Sequence, residues 1–483
     1  MIDFRPIVFV LGVLLSIVAV AMTLPAVVDA ASGHPDWQVF AASALLTLFV
    51  GVAMILTSRA GWQGFSLRQA FIMTNLAWLV IAGFGALPLA FAELEMSFTD
   101  AFFESMSGVT TTGATVIIGL DLAPPGILLW RAILQWLGGI GIIVMAVSIL
   151  PVLQVGGMQL FRVEAFETDK VLPRAAQIAG GIAIVYVFLT GFAAIVLWAL
   201  GMTGFEAIAH AMTSIATGGY STSDASIGHF ASPAIDWSIC AFMLLGSLPF
   251  VLYLRAIRGD FRALIRDSQV QLLFSIVLIA VALTSWWLWR RSEMEMPILE
   301  ALRYGAFNVI SVMTGTGYAT ADFSQWGGFV MALMFVLMFV GGCAGSTTCG
   351  IKMFRFLVLF ATARMQLLRL MQPSGVFIPY YNKRPIPSRV EESVMGFFFL
   401  FMASFAVLAA ALGMTGLDFI TAVSGAASAI ANVGPGLGDI IGPAGNYASL
   451  PDTAKWLLSL GMLLGRLELF TVLVLLSRTF WRG

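Results

Sequence analysis

The chain has 483 residues, of which 59% are hydrophobic and only 11% charged, and its mean hydropathy is +0.94. Soluble globular proteins carry about 45–50% apolar and about 25% charged residues, so this chain lacks the polar surface to face water on all sides. A soluble enzyme and a nucleic-acid binder are excluded. With a net charge of −1, and three cysteines (Cys240, Cys343, Cys349) that give neither a disulfide framework nor zinc-ligand spacing, the chain reads as an integral membrane protein.

A helix needs about 20 mostly apolar residues to cross the hydrocarbon core. Ile7–Val28 outlasts the roughly 7–15 apolar residues of a signal-peptide core and reads as a retained first span. Further spans follow at 38–57, 69–91, 126–150, 176–200, 235–256, 270–289, 326–342, 393–413 and 454–477, ten in all. Between them lie four shorter apolar stretches, Phe98–Val109, Phe205–Ile215, Ile298–Met313 and Leu417–Ile430, whose lengths suit buried or re-entrant helices. A cytoplasmic N-terminus puts 19 of the 25 Lys and Arg on the inner side, among them Arg162, Lys170, Lys352, Arg355 and Lys383, as the positive-inside rule requires. Arg131, Arg290, Arg291, Arg303 and Lys455 fall outside. Of the 26 acids, 17 fall on the outer side. A negative vestibule that concentrates cations is one account of that bias; ordinary loop composition is another.

Each short stretch runs into a polar glycine segment: TTTGATV (Thr110–Val116), ATGGYST (Ala216–Thr222), TGTGYAT (Thr314–Thr320) and ANVGPGL (Ala431–Leu437). Stacking Gly113, Gly219, Gly317 and Gly434, which are 106, 98 and 117 residues apart, also stacks Tyr220 with Tyr318. Six residues before the shared glycine it brings Ser107, Thr213, Ser311 and Ser428 into register. A unit of span, short helix, glycine segment and span is thus repeated four times behind a leading helix pair. The expected fold is an all-α polytopic membrane protein of ten transmembrane and four re-entrant pore helices around one pseudo-fourfold pore. Its expected units are 1–60 (leading pair) and four pore repeats at 61–155, 156–260, 261–375 and 376–483. Non-helical backbone at membrane depth survives only where protein buries it or where it lines a wet cavity. Four such segments suggest one pore whose carbonyls replace the water around an alkali cation, with glycine wherever the backbone needs positive φ or a close approach.

On these segments, the leading pair and the break described below, the whole chain resembles the Trk/Ktr/HKT superfamily of potassium transporters, and within it the TrkH-type membrane subunits of bacterial Trk uptake systems. Ktr-type subunits lack the leading pair. The resemblance implies potassium as the bound and transported ion. It is held by backbone oxygens of Thr111, Thr112 and Gly113; Thr217, Gly218 and Gly219; Gly315, Thr316 and Gly317; and Asn432, Val433 and Gly434. Sodium-selective plant relatives carry Ser in place of the first filter glycine, so Gly113 argues for potassium, while NVGPG departs from the TVGYG pattern of potassium channels.

The run GGCAGSTTCGIK (Gly341–Lys352) interrupts a long apolar stretch, either as a break inside the membrane or as a helix end at its surface. The resemblance makes it an intramembrane gate beneath the filter, carried by Gly341, Gly342, Gly345, Ser346 and Gly350. Cys343 and Cys349 read as small packing residues rather than metal ligands. Arg466 is a basic residue well inside a span, where it must face protein or water. Glu468, two residues on, does not share its face. The family places an Arg here below the filter, as a barrier or gate element; holding the loop carbonyls is a compatible role. His34, His210 and His229 lack ligand spacing, no phosphate-binding signature is present, and no enzymatic activity is expected. The basic inner segments suit anionic membrane lipid; the resemblance adds a TrkA-type cytosolic nucleotide-binding subunit and a homodimer. A secondary transporter would show two inverted halves, whereas these four units share one orientation. Sodium or other monovalent cation conduction, or symport, on the same scaffold stays open.

Overall fold

The computed structural model describes residues 2–59, 66–148, 171–290, 296–382 and 384–482. The expected unit boundaries at 60 and 155 and the basic residues Arg162, Lys170, Arg291 and Lys383 lie outside them. The chain opens with two long apolar helices, α1 (Arg5–Ser32) and α2 (Trp37–Thr57), joined at Gly33, which ends α1 in the left-handed conformation. They cross closely because each lacks a side chain at the crossing: a Cβ on Gly12 would lie 2.7 Å from the Gly51 carbonyl oxygen.

Four units follow, each a long helix, a short helix, a glycine segment and a second span. The first comprises α3 (Leu67–Phe91), α4 (Phe98–Val109) and α5 (Pro125–Ser148). The second comprises α6 (Val171–Ala199), α7 (Gly204–Ile215), α8 (Pro233–Ser247) and α9 (Phe250–Ile257), followed by the short α10 (Phe261–Arg266). The third comprises α11 (Ser268–Arg290), α12 (Ile298–Met313), α13 (Gly328–Met338) and α14 (Met353–Met371), and the fourth α15 (Ser388–Met414), α16 (Phe419–Ala431), α17 (Gly438–Ile441), α18 (Asp452–Arg466) and α19 (Phe470–Leu473). A two-residue antiparallel pair, Tyr380–Tyr381 with Arg384–Pro385, joins the third unit to the fourth. The architecture is thus all-α and polytopic, with the leading pair and four repeats expected from sequence.

The ten expected spans differ in one respect. Seven are continuous helices long and apolar enough to cross a membrane, but 235–256 and 454–477 are helix pairs bent by 94° and 107°, and 326–342 is represented by the eleven-residue α13. The first bend falls at Leu248–Pro249, where proline has no N–H to continue the helix ladder. The second falls where Glu468 and Leu469 take positive φ of 59° and 53°.

Capping residues start the short helices. Thr203 and Glu206 form a reciprocal capping box on α7, and the side chains of Ser97 and Asp418 accept from the amides of Asp100 and Thr421 at 3.1 Å each. Other acids likewise accept from backbone amides. Asp29 accepts from Gly126 N, Asp36 from Glu93 N, Asp224 from Leu120 N and Asp322 from Ser324 N. These acids share one end of the bundle because the short helices and the second spans begin there.

Candidate functional site

All four short helices end in the same backbone motif. The amide two residues before the shared glycine donates three residues back: Thr111 to Gly108 O (2.9 Å), Thr217 to Ser214 O (3.1 Å), Gly315 to Val312 O (3.1 Å) and Asn432 to Ala429 O (3.3 Å). The next amide donates five back: Thr112 to Ser107 O (2.8 Å), Gly218 to Thr213 O (2.8 Å), Thr316 to Ser311 O (2.9 Å) and Val433 to Ser428 O (3.0 Å). This is the Schellman pattern, which requires a left-handed residue just past the helix. Thr111, Thr217, Gly315 and Asn432 supply it, with φ of 53°, 50°, 65° and 54°. Glycine and asparagine take that conformation readily, whereas the two β-branched threonines hold it under strain. The carbonyls of Ser107, Thr213, Ser311 and Ser428, the positions in register six residues before the shared glycine, thus anchor the segment.

The shared glycines also have positive φ, 86° at Gly113, 79° at Gly219, 80° at Gly317 and 108° at Gly434. Their second constraint comes from the neighbouring unit. A Cβ on Gly113 would lie 2.2 Å from Gly218 O, one on Gly219 1.7 Å from Thr316 O, one on Gly317 2.1 Å from Val433 O, and one on Gly434 2.8 Å from Thr112 O. The sequence closes: unit 1 meets 2, 2 meets 3, 3 meets 4, and 4 meets 1. Four backbone oxygens, one from each residue before a shared glycine, therefore form a ring around one axis. The four helix C-termini converge on it, bringing the negative ends of their dipoles.

Side chains brace the ring. Ser311 and Ser428 donate to Tyr318 O (2.6 Å) and Gly434 O (2.8 Å), and Tyr447 donates to Gly434 O at 2.7 Å. Asn432 donates to Thr112 Oγ1 and Met462 O, both at 2.9 Å, joining the fourth unit to the first. Behind the second segment, Arg131 pairs with Glu104 at 2.7 Å, donates to Ser221 O at 2.9 Å and lies over the Tyr220 ring at 4.0 Å. Arg131 and Lys455, expected in outer loops, are both buried, Lys455 against Asp100. Sequence reading missed these pairs because a charge count treats every basic residue as solvated. Above the ring is a mouth lined by Ala114, Ser221, Asp224, Pro435 and Tyr447, with Asp224 its one carboxylate among the described residues.

Below the second segment lies Gly341–Gly350, bounded by a bridge between Val340 and Ile351. The loop fills the bend between α8 and α9. Cys343 N donates to Ser247 O (3.0 Å), Thr347 N to Gly246 O (3.2 Å), and Phe250 N to Gly345 O (3.0 Å). Each break thus satisfies backbone groups freed by the other. Gly341 and Gly342 face the returning strand, a Cβ on Gly341 falling 2.0 Å from Cys349 O, while Gly345 and Gly350 take φ of 74° and 71°. Ser346 donates to Cys343 O at 2.6 Å. Thr347 reaches the ring segment through Thr217 Oγ1 at 3.1 Å and donates to Ile215 O at 3.0 Å.

Arg466 is buried and donates to Thr347 O (3.1 Å), Cys349 Sγ (2.7 Å) and Gly138 O (2.7 Å). It therefore holds the loop against the first unit, and Glu468 is paired elsewhere, with Arg355. Lys352 and Arg355, counted as inner surface charges, are likewise buried: Lys352 donates to Thr348 O, and Arg355 packs over Phe397 at 3.6 Å. The sequence break lies inside the protein, so the basic residues just past it do too.

A second glycine register escaped the sequence reading. Gly138, Gly246, Gly341 and Gly465 each lie thirteen residues after the starts of α5, α8, α13 and α18. A Cβ on Gly138, Gly246 or Gly465 would lie 2.0, 2.7 or 2.1 Å from Val109 O, Ile215 O or Ile430 O, the equivalent last-turn carbonyls of the short helices. The equal spacing was the available signal.

A leading hairpin and four helix–segment–helix units closing a carbonyl ring over an interrupted span define a multi-pass membrane transport protein. Residues 36–481 match the family of TrkH cation transport proteins, and the chain belongs to it. It is 47% identical to the Trk system potassium uptake protein TrkI of Halomonas elongata over 99% of this chain and 97% of that one. It is 38% identical to TrkH of Escherichia coli over 99% of both chains. The crystal structure of the potassium transporter TrkH from Vibrio parahaemolyticus superposes with a TM-score of 0.92 at 36% identity, covering 100% of each chain.

Proposed function

We propose that this protein takes up potassium across the bacterial inner membrane, through a pore whose filter is the ring of four glycine segments. The observation that carries the reading is the cyclic order in which each shared glycine admits the next unit's carbonyl. Peptide oxygens at such a constriction replace the hydration shell of an alkali cation, and the names of the Halomonas and Escherichia relatives specify potassium uptake. Filter oxygens come from Thr111, Thr112 and Gly113, Thr217, Gly218 and Gly219, Gly315, Thr316 and Gly317, and Asn432, Val433 and Gly434. The membrane potential contributes about 2.3 kcal/mol per charge per 100 mV, enough to draw the ion inward without chemical work by this chain.

The gate is the Gly341–Gly350 loop. In the present state Thr347 and Arg466 tie it to the second segment and the first unit, so opening requires these hydrogen bonds to part. The N-terminus is cytoplasmic and the units divide at 1–60, 61–155, 156–260, 261–375 and 376–483. Basic inner segments such as Arg255–Arg266 meet anionic lipid and a TrkA-type nucleotide-binding subunit, and two copies form a homodimer. The test is flux in liposomes: the wild type carries rubidium or potassium in preference to sodium, and Gly113→Ser shifts the preference toward sodium. Equal fluxes before and after remove the filter assignment, and sodium preference in the wild type transfers the activity to sodium conduction. Accumulation driven by an imposed proton or sodium gradient at zero potential converts it to symport.

A further inference from the structure

The four ring oxygens are not equivalent. Among the described residues no hydrogen bond reaches Thr112 O, Thr316 O or Val433 O, but Gly218 O accepts one from Gln135 Nε2 at 2.6 Å. The other end of the same amide, Oε1, accepts from Tyr220 N at 3.0 Å. These two partners, one acceptor and one donor, fix which way the amide faces. Gln135 thus spans Gly219 from behind, as a neighbouring strand would, and it is fully buried. It also explains a glycine that backbone conformation does not. The φ of Gly218 is not positive, yet a Cβ there would lie 2.4 Å from Gln135 Cδ. One turn earlier on the same face of α5, Arg131 donates to Ser221 O at 2.9 Å and extends the contact along the segment.

The other second spans have nothing comparable. Three residues before Gly246, Gly341 and Gly465, where Gln135 precedes Gly138, stand Met243, Met338 and Met462, whose thioethers donate no hydrogen bond. We infer that Gln135 is a specificity-determining positioning residue: it holds the second quadrant of the filter at fixed width and shares the lone pairs of Gly218 O, and in doing so it disfavours sodium. This rests on the ring being the ion filter. Sodium, the smaller ion, gains most from an oxygen free to move inward and give its full field, whereas potassium is served at the wider spacing; field strength and mobility of the carbonyls are recognised contributors to this discrimination.

Gln135→Met tests it, because methionine is close in volume and is what the other three units carry. The full-length variant and the wild type are reconstituted in liposomes, and the potassium-to-sodium permeability ratio is measured beside Gly113→Ser. Removal of one buried hydrogen-bonded contact predicts a fall in the ratio of about fivefold with potassium flux retained. An unchanged ratio in Gln135→Met while Gly113→Ser shifts toward sodium overturns the role of Gln135 and leaves the filter standing; no shift in either variant overturns the filter itself. Should Gln135→Met carry no flux, the rise in Tm with added potassium or sodium chloride in detergent reads ion binding directly. A loss of the difference between the two salts supports the inference, and the wild-type difference overturns it. If that variant does not fold, Gln135→Asn, which keeps an amide one methylene short of its partners, is expected to lower the ratio in the same direction; a wild-type ratio there overturns the inference.

Discussion

The second span of the first unit and those of the other three begin alike and end differently. In each, a glycine stands thirteen residues from the start, and in units one, two and four it lets the span approach the last turn of a short helix, but α5 continues past Gly138 to Ser148. The others stop. After Gly246 the chain bends at Pro249, after Gly341 it becomes the loop, and after Gly465 it bends at Leu467–Leu469. The difference shows how a membrane protein accommodates broken helices: the α8–α9 bend and the loop satisfy one another's backbone groups, the bend after Gly465 sends Arg466 to the loop carbonyl of Thr347, and the continuous α5 offers Gly138 O to Arg466 and Gln135 to the ring. One rigid span serves as the wall against which three interrupted ones are arranged.

The comparison can be broken most severely at the bend after Gly465. Glu468→Gln removes one charge of the buried Arg355–Glu468 pair and is expected to cost about 3–5 kcal/mol, read as a loss of monodisperse protein in detergent. Adding Arg355→Met should recover much of it; failure to recover would mean the pair does not set the bend. Next in size, Gly138→Ala drives a Cβ toward Val109 O in the rigid span. It should lower Tm and potassium flux more than Gly341→Ala lowers Tm, because the loop can shift and a continuous helix cannot. Third, Thr347→Val removes the hydroxyl that ties the loop to Ile215 O, while the residue-347 amide keeps its bond to Gly246 O; at about 1–3 kcal/mol for the carbonyl left unsatisfied, basal flux should rise several-fold with the ion preference unchanged. A fall in flux would contradict a loop held closed by that residue. The smallest effect is at the caps. Asp418→Ala is expected to cost about 1 kcal/mol, measurable in Tm, whereas α12, which begins at Pro297 without a side-chain cap, is the internal control and should gain from Pro297→Ser. Hydrogen bonds from the Thr421 hydroxyl and amide hold the Asp418 carboxyl below its usual range. Its stabilisation is therefore complete above the ordinary carboxylate value and is lost as pH falls through the lowered one.

The glycine segments, the short helices and the Gly341–Gly350 break were legible because each is a local pattern: an apolar stretch of set length, a turn residue, a density of Gly, Ser and Thr. The bends were less so. Hydropathy runs continuously through 235–256, and only Pro249 after Gly246–Ser247 hinted at interruption. Long-range partners left no mark at all: Glu104 with Arg131, Arg355 with Glu468 and Gln135 with Gly218 join residues far apart in sequence, and no periodicity encodes which buried polar group meets which. Reading Lys352 and Arg355 as inner surface charge followed from the same gap, since their depth is set by a loop that folds back into the protein.

Because Thr112, Gly218, Thr316 and Val433 all belong to one polypeptide, the constriction can be edited one quarter at a time. A channel assembled from four identical subunits receives every substitution in quadruplicate, so a modest change becomes an all-or-none one. With the ring as the proposed filter, a lone exchange on one flank would adjust preference in small steps, and the four sides already differ: bare Gly315, strained Thr111 and Thr217, bridging Asn432.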